Sequence, residues 1–522
     1  DFCLSRGLGD VYKRQGSAVT TGIQNTLIGG LAGDALTDAD GNVVVGRGAL
    51  TTDTLGSQTT AIGSRTLNAQ NFTTATNTYN TAVGADAGLS VTTGVRNTIV
   101  GGIAGDALTE GNDNTVFGYN TLTSDTLGDK TVAIGRSVLS SQNFTTATDT
   151  YNTAVGYAAG AQVTTGLQNT LIGGLAGDAL TDSDYNVAVG YSALSSDTLG
   201  ARNVAVGQES LASQNFTTAT TSYNTAVGMN AGRLVTTGVQ NTLIGGLAGD
   251  ALTDADNNTA LGYLALSAET DNNGNTAIGA EALKVQNAGG GGDARNTAVG
   301  FLAGAAVSSG TQNTLVGYNS GNEMTSGSKN VILGSYDGNG GGLDIRTSSN
   351  NIVLSDGDGN PRGYYHGGLT SPVWIFQNET SNQWAAILRN SVSSNPYGVS
   401  IEFTGAAPND NTRQFLRGQD SSTERFIVYS TGNIVNVNNS YGAISDIKLK
   451  ENIVDASSQW DDIKALTVRK YSMKSDNLDA PNRLGVIAQE VEAAGMNGLV
   501  FESPDINEET KEDLGTVTKQ VN

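Results

Sequence analysis

A mainly β chain is predicted, made of a rod of about eighteen stacked coils, a small antiparallel β domain and a C-terminal α/β module. Three observations carry this. A five-residue pattern ending in glycine recurs at fixed spacing through residues 16–334; all six prolines and all three tryptophans lie at or after Pro361; and from Ser445 onward 24 of 78 residues are charged, against 15% in the whole chain. The organisation expected is therefore 1–15 outside the fold, 16–334 repeats, 335–370 a last irregular coil and connector, 371–444 the β domain and 445–522 the charged module.

The opening stretch "DFCLSRGLGDVYKRQ" matches nothing that follows and resembles translated sequencing-adapter read-through, so it is set aside. It holds Cys3, the one cysteine, which leaves no disulfide and no thiolate metal site for the rest. One histidine, His366, cannot by itself build a zinc site or a Ser-His-Asp triad. No cofactor and no metal is expected. A net charge of −22 argues against nucleic acid and anionic membranes as partners, which need a basic face. No apolar run is long enough for membrane insertion.

Within the repeats "TTG" ends at Gly22, Gly94, Gly166 and Gly238, a period of 72 residues. The shorter unit, N-T-A-V-G with variants, ends at eighteen glycines from Gly29 to Gly334, spaced 17, 17 and 21 at first and then 17, 17, 17 and 21. A three-residue strand closed by glycine is the unit of a β-solenoid. The residue before the glycine is always apolar (Ile28, Val83, Phe117), and two earlier stands Thr or Val (Thr26, Val43, Thr81). Residues two apart on a strand share a face, so these are expected to face the core. The residue between them, Ala82, Ala154 or Leu27, is expected to face a neighbouring chain or solvent. Asn25, Asn97 and their equivalents are expected to stack their amides along the axis. Coils about 4.8 Å apart make a rod on the order of 85 Å, which needs stacking and lateral association for stability.

Every fourth unit carries four extra residues, as in "SQNFTTATDTYN", placing Phe72, Phe144 and Phe216 at one register. Each is either a receptor contact on a protruding loop or a side chain folded back on its own coil. Acidic turns such as Asp34, Asp38 and Asp40, or Asp356 and Asp358, are expected to be Asx turns, since no distal glutamate completes a calcium loop.

The repeats resemble the heads of trimeric autotransporter adhesins, with their short "NxxAIG" strands, and bacteriophage tail fibres with "NTAVG" repeats. The resemblance implies a left-handed β-roll and a homotrimer. "SDIKLKENI" at Ser445–Ile453 and "RLGVIAQEVE" at Arg483–Glu492 together resemble the C-terminal intramolecular chaperone and self-cleaving peptidase of phage tail fibres, tail spikes and endosialidases. That family implies a domain that trimerises, directs folding of the β-structure before it, and cuts itself off. Carried over, Ser445 is the nucleophile, Ile444–Ser445 the scissile bond and Lys450 the general base, with Lys448 and Asp446 assisting. The family continues beyond "TKQVN", so this domain is expected to be truncated and both chain ends to be fragment ends.

The residue chemistry agrees with those roles. A serine hydroxyl needs a base, and a lysine with a pKa of about 10.4 must be brought toward roughly 7–8 by burial or positive neighbours. The function expected is a virion tail fibre or spike that attaches to a bacterial surface receptor or glycan, with one self-cleavage per chain. A bacterial surface adhesin, a polysaccharide depolymerase and a threonine-displaying ice-binding solenoid are the alternatives. The last is disfavoured if threonine shares its face with the core.

Overall fold

Asparagine opens nearly every coil of the rod and fixes which residues go inside. In the computed structural model, which describes residues 15–367, 373–376, 401, 412–419, 423–436, 452–455, 458–472, 483–506 and 513–521, these asparagines are buried. Asn97 is typical. Its Oδ1 accepts the Asn114 N–H at 3.0 Å and its Nδ2 donates to Gly111 O at 2.8 Å. The ladder thus joins mainly side chain to backbone, coil to coil, with direct amide-to-amide bonds from Asn203 to Asn186, Asn313 to Asn296 and Asn351 to Asn330. With asparagine inside, alternation puts the next residue out, the following one in and the third out.

The expected facing is therefore inverted. The middle residues, such as Ala82, Ile99, Val116, Ala154 and Leu171, are fully buried, whereas Ile28 is 48% and Phe117 54% exposed. Threonine and the residue before the glycine form the outer face. The objection to a threonine-displaying solenoid falls with this correction, because the threonines lie beside an exposed apolar row rather than in the core.

Nineteen strands, from Thr26–Ile28 to Ile352–Ser355, stack in parallel register, each central residue over the next, as Leu27↔Val44 and Val44↔Ala61. They are numbered here as coils 1–19. Coil 19 lies in the segment expected to be irregular, and it escapes the glycine count because Ser355 stands where earlier coils have glycine. Two antiparallel strands, Pro361–His366 and Val373–Phe376, then extend the same sheet. The first pairs with the open backbone edge of the last coil, which would otherwise invite a foreign strand, and the second pairs with the first. The strand at Val373–Phe376 thus belongs to the rod's sheet and not to the β domain expected from residue 371.

The repeat glycines are needed for close approach. Gly135 has φ of +134°, and a Cβ there would run into the carbonyl oxygen of Gly156 in the next coil.

Opposite the strands, the core alternates between two kinds of wall. In one, a glycine follows the repeat glycine by four residues and an apolar residue by seven, as Gly88 with Val91 and Gly177 with Leu180. A Cβ on Gly177 would lie 2.8 Å from both Leu171 Cδ2 and Leu180 Cδ1, so this wall leaves room for a large strand residue. That explains why leucine or isoleucine stands in the coil after "TTG". In the other wall a leucine with positive φ replaces that glycine and a buried polar residue comes three later, as Leu122 with Asp125 and Leu139 with Gln142.

These polar residues pair across coils. Asp125 Oδ2 accepts from Gln142 Nε2 at 2.6 Å, and Gln142 Oε1 accepts from Asn152 Nδ2 at 2.9 Å. Asp125 Oδ1 accepts the N–H groups of Gly128 and Phe144 at 3.2 and 3.1 Å. The same clamp recurs as Asp53 with Gln70 and Asp197 with Gln214. Each clamp satisfies a buried carboxylate that would otherwise cost several kcal/mol, on the order estimated for unpaired polar groups.

The contact pattern divides the chain into Asp1–Arg389 and Asn390–Asn522. In the second unit Gln414–Gln419, Glu424–Tyr429 and Ile434–Asn436 form an antiparallel sheet with Ile427 buried.

Candidate functional site

The charged C-terminal module is built around a short helix held by two ion-pair ties. Its first helix, α1 (Trp460–Ala465), has Asp461 and Asp462 in the first turn and Lys464 in the last, matching the helix dipole. Next, Arg469–Tyr471 pairs antiparallel with Arg483–Gly485, so that Arg469 lies opposite Gly485. From that glycine the chain runs through Ile487 into helix α2 (Ala488–Ala493). Ala488 and Val491, three apart and on one face, are buried together with Met496.

The other face of α2 is charged. Arg469 grips both carboxylate oxygens of Glu490, with Nε at 3.1 Å from each and Nη2 at 2.7 Å from Oε1. This bidentate bond holds Glu490 below the ordinary glutamate range and raises Arg469. Glu492 accepts from Lys519 Nζ at 2.5 Å, and Glu502 lies 3.3 Å from the same ammonium. Lys519 and Glu502 are cross-strand partners in the hairpin Val500–Ile506/Asp513–Val521. One glutamate therefore ties α2 to the first hairpin and the other ties it to the second. The "QEVE" of the motif is read in this way as two anchors.

Sequence reasoning singled out the motif but not these anchors. Their partners lie 21 and 27 residues away, and only the fold brings them near. Ile444, Ser445, Asp446, Lys448 and Lys450 lie outside the described residues. Phe72, Phe144 and Phe216 are each only 6% exposed, which corrects the receptor-contact option for them. The four-residue insertions do not protrude freely: Thr76–Asn77 is stitched in parallel to Gly56–Ser57, and Phe72 N–H is held by Asp53 Oδ1 at 3.0 Å.

The acidic turns hold backbone. Asp40 Oδ1 accepts the Ile23 N–H at 2.7 Å, and Asp356 Oδ1 accepts those of Asp358 and Asn360 at 3.0 and 2.9 Å. Arg362 adds a guanidinium bond that, with these, brings Asp356 down to about 2. Among the described residues no group of three or more His, Cys, Asp or Glu is arranged to hold a metal.

Residues 445–501 match the peptidase S74 family model, described as the chaperone of endosialidase. No curated protein and no solved structure matches the chain. The matched segment spans α1, the first hairpin and α2, so the doubly anchored helix is part of the chaperone-of-endosialidase segment. A β-solenoid rod ahead of such a segment fits a tail-fibre-like protein.

Apolar side chains on this segment and its neighbours are left uncovered in the single chain. Trp460, Ile463, Val468, Leu484, Phe501 and Val517 are all exposed.

Proposed function

We propose that this chain is a homotrimeric fibre or spike protein of a bacteriophage virion, which attaches to a receptor or glycan on a bacterial surface. The observation that carries this reading is the chaperone-of-endosialidase match placed after a β-solenoid rod. Two surfaces support assembly from copies: the exposed apolar residues of the C-terminal module and the β-branched outer face of the rod. Stacked short coils have small individual cores, and a template that aligns their register before they zip together answers the slow step of such a fold.

Maturation follows as one cut. The Ser445 hydroxyl attacks the carbonyl carbon of Ile444 while Lys450 takes the hydroxyl proton. The Ile444–Ser445 peptide bond breaks, its nitrogen is protonated to become the new amino terminus, and the acyl group passes to the serine oxygen. Water then hydrolyses that ester, leaving a carboxylate on Ile444 and restoring the hydroxyl. Asp446 and Lys448 tune and orient the pair.

Intact mass and sedimentation of the full gene product, expressed in bacteria, test both parts. The rod-bearing product should end at Ile444 and sediment as a trimer, and Ser445→Ala should stay uncut. Trimming of the alanine variant at the same bond overturns the nucleophile assignment, and a monomeric mature rod overturns the assembly.

A further inference from the structure

Immediately after the repeat glycine stands a residue that is large and apolar in every second coil from coil 6 to coil 16. In coils 6, 8, 10, 12, 14 and 16 it is Tyr119, Tyr157, Tyr191, Met229, Tyr263 and Phe301, exposed by 48–57%. In coils 5, 9 and 13 it is Gly102, Gly174 and Gly246, and in coils 7, 11 and 15 Arg136, Gln208 and Ala280. Each glycine lies beneath the ring of the next coil: a Cβ on Gly102 would lie 3.5 Å from Tyr119, one on Gly174 3.6 Å from Tyr191 and one on Gly246 3.7 Å from Tyr263. These three rings thus rest beside backbone and stay 54–57% exposed.

Crowding does not force the alternation. Phe301 and Tyr318 occupy this position in consecutive coils and simply stack, with centroids 5.9 Å apart and planes 12° apart. Nor does duplication alone explain it. Copies 72 residues apart have diverged freely in one register, where Ser64, Arg136, Gln208 and Ala280 are equivalent. In the register of Ala85, Tyr157, Met229 and Phe301 the identity also changes, and after the first copy each is large and apolar. A second tyrosine row, before the coil asparagines, is covered more closely: Arg202 lies 4.7 Å from the Tyr185 centroid and Lys130 5.2 Å from that of Tyr151, against 5.9 Å for Arg136 over Tyr157 in the first row.

From coil 6 to coil 16 these large apolar side chains recur every two coil heights, about 9.6 Å. That is close to the length of one disaccharide in an extended β-1,4-linked glycan, where successive sugars are turned over and every second one offers the same face. A net charge of −22 repels a polyanion, which selects an uncharged chain. We propose that the row from Tyr119 to Phe301 is a binding track for a neutral, β-1,4-linked linear polysaccharide lying along the coil stack, one large apolar side chain to each disaccharide. This rests on the attachment reading above and names its ligand class.

Calorimetric titration of the full chain with chitohexaose and cellohexaose tests it, with maltohexaose as a control whose α-linkages turn successive faces away. Binding should strengthen from disaccharide to tetrasaccharide to hexasaccharide, and maltohexaose should not bind. Tyr191→Ala should weaken hexasaccharide binding about fivefold and Tyr191→Phe should preserve it, since stacking needs the ring and not the hydroxyl. These side chains are exposed, so far-ultraviolet circular dichroism should be unchanged. No binding of either β-linked hexasaccharide, equal binding by Tyr191→Ala, or an alanine variant that alters sedimentation but not sugar binding overturns the track. Adsorption to host bacteria separates the two readings: ring-independent adsorption sinks the track alone, whereas sugar binding without adsorption sinks the attachment reading alone.

Discussion

Removing the Asp125 carboxylate should unzip the rod locally. Asp125→Ala takes the acceptor from three donors, the N–H groups of Gly128 and Phe144 and the Gln142 amide. A buried donor left unpaired costs about 1–3 kcal/mol, so with three donors the coils around the substitution should lose about 3–9 kcal/mol. Because each coil contacts only its neighbours, the loss should stay between Thr126 and Asn152 and their adjoining strands. Hydrogen exchange read by mass spectrometry should show those amides exchanging at least about a hundredfold faster, by the usual conversion of about 1.4 kcal/mol per decade. Strands near the ends of the rod should be unchanged. Replacing both partners, as Asp125→Val with Gln142→Leu, should recover part of the loss, since no donor then faces an empty acceptor site. Exchange between Thr126 and Asn152 that stays within about twofold of wild type would refute the clamp.

The same carboxylate predicts a pH dependence. Burial is the main influence on Asp125 and raises it, against hydrogen bonds from Gln142, Phe144, Gly128 and Thr126 that lower it. The folded rod therefore binds this proton more tightly than the unfolded chain does. Its contribution is fully present below the ordinary value of 3.8 and is lost as pH rises through the raised folded value. Exchange in these coils should quicken across that window beyond its intrinsic pH trend, and Asp125→Asn should lack the effect.

Glu269 occupies the clamp position of coil 14, but its extra methylene turns Oε1 onto the N–H groups of Thr270, Asp271 and Asn272 and leaves Oε2 and Gln286 Nε2 unpaired. Glu269→Asp should restore the clamp and raise local stability by about 1 kcal/mol, read as slower exchange at Ala294–Val299; faster exchange there would mean that the aspartate clamp does not transfer. Asp356, held at about 2 chiefly by Arg362, should stabilise its turn fully above the ordinary aspartate value and lose that contribution as pH falls through about 2. Arg362→Ala should move its carboxylate titration upward, as followed by nuclear magnetic resonance, and an unmoved titration would assign the shift to Asn360 instead.

The order of coils was readable from letters because a solenoid repeats its own contacts: glycine spacing of 17 and 21 became parallel register, strand over strand. The composition step at Pro361 marked where parallel coils give way to antiparallel strands, and the paired motifs marked residues 445–501. Facing was not readable from hydrophobicity, since a Thr-Ala-Val strand is apolar at two parities and small at the third position. Asparagine decided it, because a buried amide needs the backbone of the neighbouring coil, and that coil exists only once the chain has wound. For the same reason only tertiary structure withdrew Phe72 from the surface, joined Arg469 to Glu490 across 21 residues, and laid Tyr119, Tyr191 and Tyr263 over glycines in one row. Local spacing determines what is stacked; which side of each coil meets solvent depends on the coil beside it.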